Sequence, residues 1–262
     1  MNSKADKFHS PVELQATLLR ISPPRPLSGS IARTHLVKQL AAKDSPPITI
    51  IQGPAGYGKS TLMQQAKLEC DRMGVCTGWL TLHDSDNDIA RLFRTLQLLV
   101  EHLPASSPQP SPSQNFRSPP TEAHLADWLL AKLLSLDRDV VLFIDEFQIL
   151  KNKSALDFFS ELFRHLPLPI RIVISSRTVP DIGLPRLMVM ERARLIRPAD
   201  LAFTPDEVGE LFLNLGIEQH HINLQCYGRM AGSHTALPPV AYPRRRRKIL
   251  AGHDIVSTMA TE

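Results

Sequence analysis

Eight residues at positions 53–60, with the sequence GPAGYGKS, limit the possible folds of this chain more than any other segment. They satisfy the pattern G-x-x-x-x-G-K-[ST], in which glycines let a tight loop surround an anion with backbone N–H groups. A short β-branched apolar run at 48–51 precedes the loop, and residues 59–72, which lack Gly and Pro, predict a helix after it. This strand–loop–helix order predicts a loop that binds the phosphates of a nucleotide.

The chemistry of the loop predicts ATP with Mg²⁺ as the ligand. Lys59 would reach the β- and γ-phosphates, and Ser60 would coordinate Mg²⁺ through its hydroxyl. Arg33 is added as a candidate nucleotide contact, the alternative being an arginine with no part in binding. The predicted nucleotide-binding residues are Gly53, Pro54, Ala55, Gly56, Tyr57, Gly58, Lys59, Ser60, Thr61 and Arg33.

Two further apolar runs end in polar residues that suit phosphate chemistry. The run at 140–144 ends in Asp145, which would hold Mg²⁺, and Glu146, which would orient and polarise an attacking water. The run at 170–174 leads to Arg177, which could contact the γ-phosphate and stabilise charge in the transition state. The alternative is that the two acids only solvate a strand end and that Arg177 is a surface cation.

Buried strands that alternate with amphipathic helices predict an α/β fold, a parallel sheet flanked by helices on both faces. Strands are predicted at 48–51, 75–82, 140–144, 170–174 and 195–197. The predicted organisation is an N-terminal lead at 1–22, an ATPase domain at 23–200 with a flexible Pro/Ser-rich loop at 103–120, the start of a helical domain at 201–232 and a basic, disordered tail at 233–262. Residues 204–207 (TPDE) predict the capping box of a helix.

The charge distribution argues against a nucleic-acid-binding face on the body of the protein. The net charge of +4 falls to −1 when the five positive charges at 244–248 are set aside, so the basic pI of about 9.1 belongs to the tail. That run could contact a phosphate backbone or act as a targeting signal, but a solvated tail is the simpler interpretation. No long apolar run, secretory signal or disulfide-like cysteine pattern is apparent, so a cytoplasmic location without membrane contact is expected.

From about residue 20 to residue 230, the chain resembles the large ATP-binding regulators of the LuxR type, relatives of the bacterial maltose-regulon activator. These proteins belong to the STAND class of signal-transduction ATPases, within the AAA+-like P-loop fold. The matching segments are residues 21–25 (ISPPR), 53–60 (GPAGYGKS), 78–82 (GWLTL), 86–88 (DND), 143–147 (FIDEF), 174–177 (ISSR) and 201–204 (LAFT). The resemblance implies a switch in which ATP favours an active, self-associating form and hydrolysis to ADP resets it.

In that family an inducer binds a C-terminal superhelical domain, and a terminal helix-turn-helix binds DNA. Residues 228–232 (GRMAG) still resemble the family, but prolines and the arginine run then replace the apolar helix that is expected. We therefore expect a truncated or frame-shifted product that would contact DNA only through domains missing from this chain. Glu146 stands where family members often carry Asp, which leaves the rate of hydrolysis open.

Three functions are compatible with these residues. The first is a slow ATPase that acts as the switch module of such a transcriptional regulator. The others are a stand-alone P-loop phosphotransferase and a nucleotide-binding scaffold that does not hydrolyse its ligand. The acid directly after Asp145 favours water as the phosphoryl acceptor, because it places a base beside the phosphate.

Overall fold

A computed structural model describes residues 11–26, 29–104 and 124–214 of the 262-residue chain. Most of the predicted Pro/Ser-rich loop, the family-like segment at 228–232, the predicted tail and the arginine run at 244–248 lie outside the described residues. Leu103, which was predicted to begin the loop, is described and lies buried in the core.

The described residues form eight α-helices and five strands, separated by two short 3-10 turns at Asp84–Asn87 and Phe147–Ile149. The helices are α1 (Pro11–Arg20), α2 (Thr34–Ala41), α3 (Lys59–Arg72), α4 (Ile89–Glu101), α5 (Leu125–Leu134), α6 (Lys153–His165), α7 (Leu184–Val189) and α8 (Pro205–Asn214). The strands are β1 (Ile48–Gln52), β2 (Cys76–Thr81), β3 (Val140–Asp145), β4 (Ile170–Ser176) and β5 (Ala193–Ile196). All five predicted strands are therefore present, with shifts of one or two residues at their ends.

The five strands form one sheet in the order β2-β3-β4-β1-β5, and every neighbouring pair is parallel. Strands β3 and β4 are buried along their whole length, as expected for continuous apolar runs covered on both faces. The α/β fold predicted from the sequence is confirmed.

Two hydrophobic clusters fill the space on the two faces of the sheet. One cluster joins helices α4, α5 and α6 to the sheet through residues such as Leu96, Leu129 and Phe159. The other packs α2 and α3 against the opposite face, and Trp79 stacks on Phe143 within it, with ring centroids 6.1 Å apart. Covering both faces leaves the carboxyl ends of the strands as the open edge at which polar residues can gather.

Helix α8 begins with the predicted capping box. The Thr204 N–H donates to Glu207 Oε2 at 2.8 Å, and the Glu207 N–H donates to Thr204 Oγ1 at 3.3 Å. The structure describes this helix to Asn214, so the rest of the predicted helical domain lies outside the described residues. Among the helices that are described, none has the length and apolar character needed to cross a lipid bilayer.

Candidate functional site

The glycine-rich loop connects the end of β1 to the first turn of α3. Its start is fixed to the neighbouring strand, because the Gly53 N–H donates to the Ser176 carbonyl at 3.0 Å. Gly56 and Gly58 adopt left-handed backbone angles, with φ of 85° and 72°. A side chain at either position would be strained, so glycine is the residue that lets the loop bend back toward the helix. The first turn of α3, with its unpaired backbone N–H groups, then opens directly from the loop.

Lys59 lies inside this loop with only 6% of its surface exposed. Its Nζ donates to the Pro54 carbonyl at 2.9 Å. Burial lowers the pKa of Lys59, whereas the carboxylates of Glu146 and Asp145 act in the opposite direction and favour the charged ammonium. The structure thus places the loop lysine close enough to the two strand-end acids for their charges to affect it.

Asp145 is held at the end of β3 by its neighbours. Its Oδ1 accepts hydrogen bonds from the hydroxyl of buried Ser175 and, at 3.0 Å, from the Glu146 N–H. The Ser175 hydroxyl oxygen also lies 3.1 Å from the Glu146 nitrogen. Ser175 therefore fixes the orientation of the carboxylate predicted to hold the metal. Ser175 belongs to the family-like segment 174–177, and the sequence predicted no role for it.

Glu146 has a left-handed backbone, with φ of 61°, and its carboxylate is engaged from two sides. Oε2 accepts from Gln148 Nε2 at 2.6 Å and lies 3.4 Å from Arg177 Nη2. Gln148 Oε1 in turn accepts from the Arg177 N–H at 3.0 Å. Gln148 thus bridges the predicted base and the predicted phosphate sensor, and nothing in the sequence analysis identified it. The available signal was its place two residues after the acid that ends β3.

The side chain of Asn87 makes hydrogen bonds to the backbone of the segment that follows Glu146. Its Nδ2 donates to the Ile149 carbonyl at 3.0 Å, and its Oδ1 accepts from the N–H groups of Lys151 at 2.7 Å and Asn152 at 2.9 Å. Both ends of this amide are therefore used to hold one turn of backbone. Asn87 is a positioning residue that the sequence analysis quoted only within the matching segment DND.

Arg33 contacts the segment that leads into α8. It is 6% exposed, and its Nε lies 3.0 Å from Glu207 Oε1. Its Nη1 and Nη2 donate to the carbonyls of Leu201 and Ala202 at 3.0 and 3.2 Å. The guanidinium is thus occupied by protein groups, and a nucleotide contact from Arg33 stays a prediction.

The side chains predicted to hold a metal supply oxygen atoms. Ser60 offers a hydroxyl at the start of α3, and Asp145 offers a carboxylate whose orientation is fixed by Ser175. Hydroxyl and carboxylate oxygens suit Mg²⁺, which normally keeps several waters and phosphate oxygens among its ligands. The donor set therefore fits Mg²⁺.

The family model described as AAA ATPase domain matches residues 17–174, which is more than half of the chain. This chain belongs to the AAA ATPase domain family. Such a fold is a nucleotide-binding fold, and the glycine-rich loop and strand-end acids lie within the matched residues.

Relatives of this AAA ATPase domain include the HTH-type transcriptional regulator MalT. The MalT protein of Klebsiella pneumoniae strain 342 is 27% identical over 239 residues, covering 90% of this chain and 26% of the relative. That of Yersinia pestis strain Pestoides F is 28% identical over 233 residues, covering 87% and 25%. The predicted resemblance to MalT-type P-loop ATPases is confirmed, and the chain spans about a quarter of the length of these relatives.

Among solved structures, a signal-transduction ATPase with numerous domains and a tetratricopeptide repeat sensor from Pyrococcus horikoshii matches with a TM-score of 0.52. The match covers 80% of this chain and 28% of that chain at 13% sequence identity. At this identity the likeness concerns the fold of the AAA ATPase domain alone.

Proposed function

We propose that this chain binds ATP with Mg²⁺, hydrolyses it slowly, and serves as the nucleotide switch of a signal-transduction regulator similar to MalT. The observation that carries the proposal is the meeting of Lys59, Asp145, Glu146 and Arg177 at the carboxyl edge of three neighbouring strands, linked by hydrogen bonds and charge. Sites that bind ligands in parallel sheets lie at this edge.

In the proposed reaction, a water attacks the γ-phosphorus as the bond to the β–γ bridging oxygen breaks, giving ADP and phosphate. Glu146 accepts the proton of that water on its carboxylate, whose direction is set by Gln148. Lys59 exchanges the Pro54 carbonyl for phosphate oxygens, and Arg177 balances the charge on the γ-phosphate. Mg²⁺, held through Ser60 and Asp145, would supply further charge neutralisation at the phosphates.

The regulatory part of the proposal rests on similarity. MalT is named as a transcriptional regulator with a helix-turn-helix, and we extend to this chain only the role of its ATPase part as a switch. ATP-dependent self-association and reset by hydrolysis belong to the same proposal. Contact with DNA is not assigned to any of the described residues.

The test is ATP binding and hydrolysis by the purified chain, measured by titration with a fluorescent ATP analogue and by phosphate release. Lys59→Ala should lose both binding and turnover, because it removes the cation that meets the phosphates. Glu146→Gln should keep binding within about threefold but lose turnover by about 10²-fold or more, the usual contribution of a positioned base. Glu101→Gln, an exposed acid at the end of α4, is the matched control.

The outcomes separate the alternatives. Binding without turnover in the unaltered chain, and no effect of Glu146→Gln, would mean a scaffold that only holds nucleotide. Release of phosphate only when a small-molecule acceptor is added would indicate a phosphotransferase. Absence of binding would remove the proposal.

A further inference from the structure

A cavity of about 600 Å³ lies between α1, the exit of β2 and α4, and it is open to solvent on one side. We propose that this cavity binds a small organic anion with an apolar body. Its volume falls within the range of about 300–1,000 Å³ that is typical of small-molecule sites. Its wall includes Ala16, Leu19, Arg20, Pro24, Arg91, Arg94 and Glu13.

The cavity is separate from the glycine-rich loop. It lies at the exit of β2, an edge strand, whereas the loop follows β1, and both β3 and β4 stand between them. With a spacing of about 4.8 Å between neighbouring strands, the two sites are roughly 14 Å apart along the sheet. The inference therefore does not depend on whether the chain binds ATP.

The walls of the cavity are regular elements. Ala16 and Arg20 stand four residues apart on one face of α1, and Arg91 and Arg94 stand three apart on one face of α4. Helix α1 is fixed in place, because Arg20 pairs with buried Asp86 and its Nε donates to the Thr81 carbonyl at 3.3 Å. A site built on helices held in this way has a defined shape before a ligand arrives.

The charges on the walls favour an anion. Three arginines line the cavity against one carboxylate, that of Glu13. The charge of Arg20 is balanced by Asp86, and Arg94 and Glu13 make contacts of their own. The guanidinium of exposed Arg91 forms no hydrogen bond or ion pair with the part of the chain that the structure describes. A guanidinium can donate two parallel hydrogen bonds to a carboxylate, phosphate or sulfonate group.

Aliphatic side chains form part of the remaining wall, beside the polar residues Thr17, Ser22, Thr81, His83, Ser85 and Thr95. Ala16 and Pro24 lie on it, and Leu19 is 74% exposed at its rim. An apolar surface of this kind gains by losing contact with water when it is covered. The combination of an arginine with this aliphatic part of the wall favours an anion attached to an apolar body over a free inorganic anion.

The probe for this inference is 8-anilinonaphthalene-1-sulfonate, whose fluorescence rises when its rings leave water. Titration of the purified chain should show one saturable site. The matched neutral probe is N-phenyl-1-naphthylamine, which keeps the rings and lacks the sulfonate, and it should bind at least about tenfold more weakly. A charge-assisted hydrogen bond of this kind accounts for about tenfold in affinity.

Two variants locate the bound dye. Arg91→Gln should weaken sulfonate binding by about tenfold and leave binding of the neutral probe unchanged. Ala16→Trp, at an exposed position of α1, should fill the cavity and reduce the binding of both probes. Arg197→Gln, an exposed arginine after β5, is the control and should change neither.

Three results would overturn the inference. The first is equal binding of the two probes with no effect of Arg91→Gln, because the surface would then be apolar without selecting an anion. The second is unchanged binding in Ala16→Trp, which would place the dye elsewhere. The third is loss of sulfonate binding in Lys59→Ala, which would place it in the glycine-rich loop.

Discussion

Glu146 combines an unfavourable backbone with an unusually complete set of contacts. A left-handed conformation in a residue other than glycine costs on the order of 1–3 kcal/mol, and it persists only when the surroundings enforce it. Here its N–H is held by Asp145 and Ser175, and its carboxylate by Gln148 and Arg177. The direction of the Glu146 side chain is therefore defined by its contacts, which is what a general base requires.

Replacement of Gln148 tests this positioning role. Gln148→Leu should lower ATP turnover by about tenfold or more, because the Glu146 carboxylate would lose its shortest hydrogen bond and the Arg177 backbone N–H would lose its acceptor, Gln148 Oε1. ATP binding should change by less than about threefold, since Gln148 is not a predicted phosphate contact. The measurement is phosphate release beside an ATP titration.

Gln97→Leu, on a half-buried position of α4, is the control for the loss of an amide. An equal loss of binding and turnover in Gln148→Leu would assign the residue to nucleotide binding and contradict the positioning role.

Cys70 gives a prediction about pH. Burial raises the pKa of its thiol from 9.0 to about 11, although Arg171 acts in the opposite direction. The unfolded chain releases this proton near pH 9.0 while the folded chain retains it, so stability should fall between pH 9.0 and about 11. The contribution is about 1.4 kcal/mol of unfolding free energy per pH unit.

Denaturant titrations of the unaltered chain and Cys70→Ala across this pH range isolate the effect of the thiol. The difference between their unfolding free energies should be constant below about pH 8 and should narrow above pH 9.0. A constant difference throughout would show that the thiol titrates alike in both states.

At the scale of helices and strands, the sequence predicted the elements whose formation depends on residues that are close together in the chain. The helix predicted at 59–72 is observed as Lys59–Arg72, because a glycine begins it and an uninterrupted run of helix-compatible residues continues it. Helix α1 was not predicted, because residues 1–22 were interpreted only as a mixed N-terminal lead; in the structure its apolar residues Leu14 and Leu19 are exposed. The strand order β2-β3-β4-β1-β5 was also not predicted, because it depends on pairing between segments that are distant in the sequence.

The same limit applies to the site. Lys59 and Asp145 were predicted because each belongs to a recognisable motif, and Arg177 was predicted from its position after a buried strand. Gln148 and Asn87 were missed because their roles arise from contacts made across loops, 29 and 62 to 65 residues apart in sequence. A residue that acts by orienting another residue usually has no motif by which a single sequence could identify it.

Gly78 determines how closely α4 approaches β2. A methyl group placed on Gly78 would lie 2.8 Å from Leu142 Cδ2 and 2.9 Å from Leu103 Cδ2. Gly78→Ala should therefore lower the free energy of unfolding by about 1–3 kcal/mol through overpacking. Shortening Leu103 should relieve part of this overpacking. The loss of unfolding free energy caused by Gly78→Ala should therefore be smaller in a Leu103→Ala background. Denaturant titration measures both costs, and an equal cost in the two backgrounds would argue against a steric cause.

At the scale of the whole molecule, α8 is tied to the nucleotide-binding edge through two contacts. Leu201 is buried directly on the glycine-rich loop, where its Cδ1 would lie 3.3 Å from a methyl group placed on Gly53. Arg33 holds the same segment through the Leu201 carbonyl and holds α8 through Glu207. The Arg33 N–H also donates to Gln65 of α3 at 3.0 Å. The position of α8 is thus set against the loop and the helix that begins from it.

The energetic test of this connection is a double-mutant cycle on Arg33 and Glu207. Burial lowers the pKa of Arg33, and Glu207 opposes that shift, so each group compensates for the burial of the other. Arg33→Met and Glu207→Gln should each cost about 3–5 kcal/mol of unfolding free energy, because each leaves a buried partner uncompensated. The double mutant should cost less than the sum of the two, with a coupling of about 1–3 kcal/mol.

Lys153 and Asp157, an exposed ion pair on α6, provide the matched cycle, and their coupling should be below about 1 kcal/mol. Additive costs at Arg33 and Glu207 would mean that the ion pair itself contributes nothing and that the other contacts of Arg33 and Leu201 hold the segment before α8. A coupling confined to the buried pair would show that Arg33 and Glu207 stabilise the attachment of α8 to the segment beside the glycine-rich loop, because Arg33 also contacts Leu201 and Gln65.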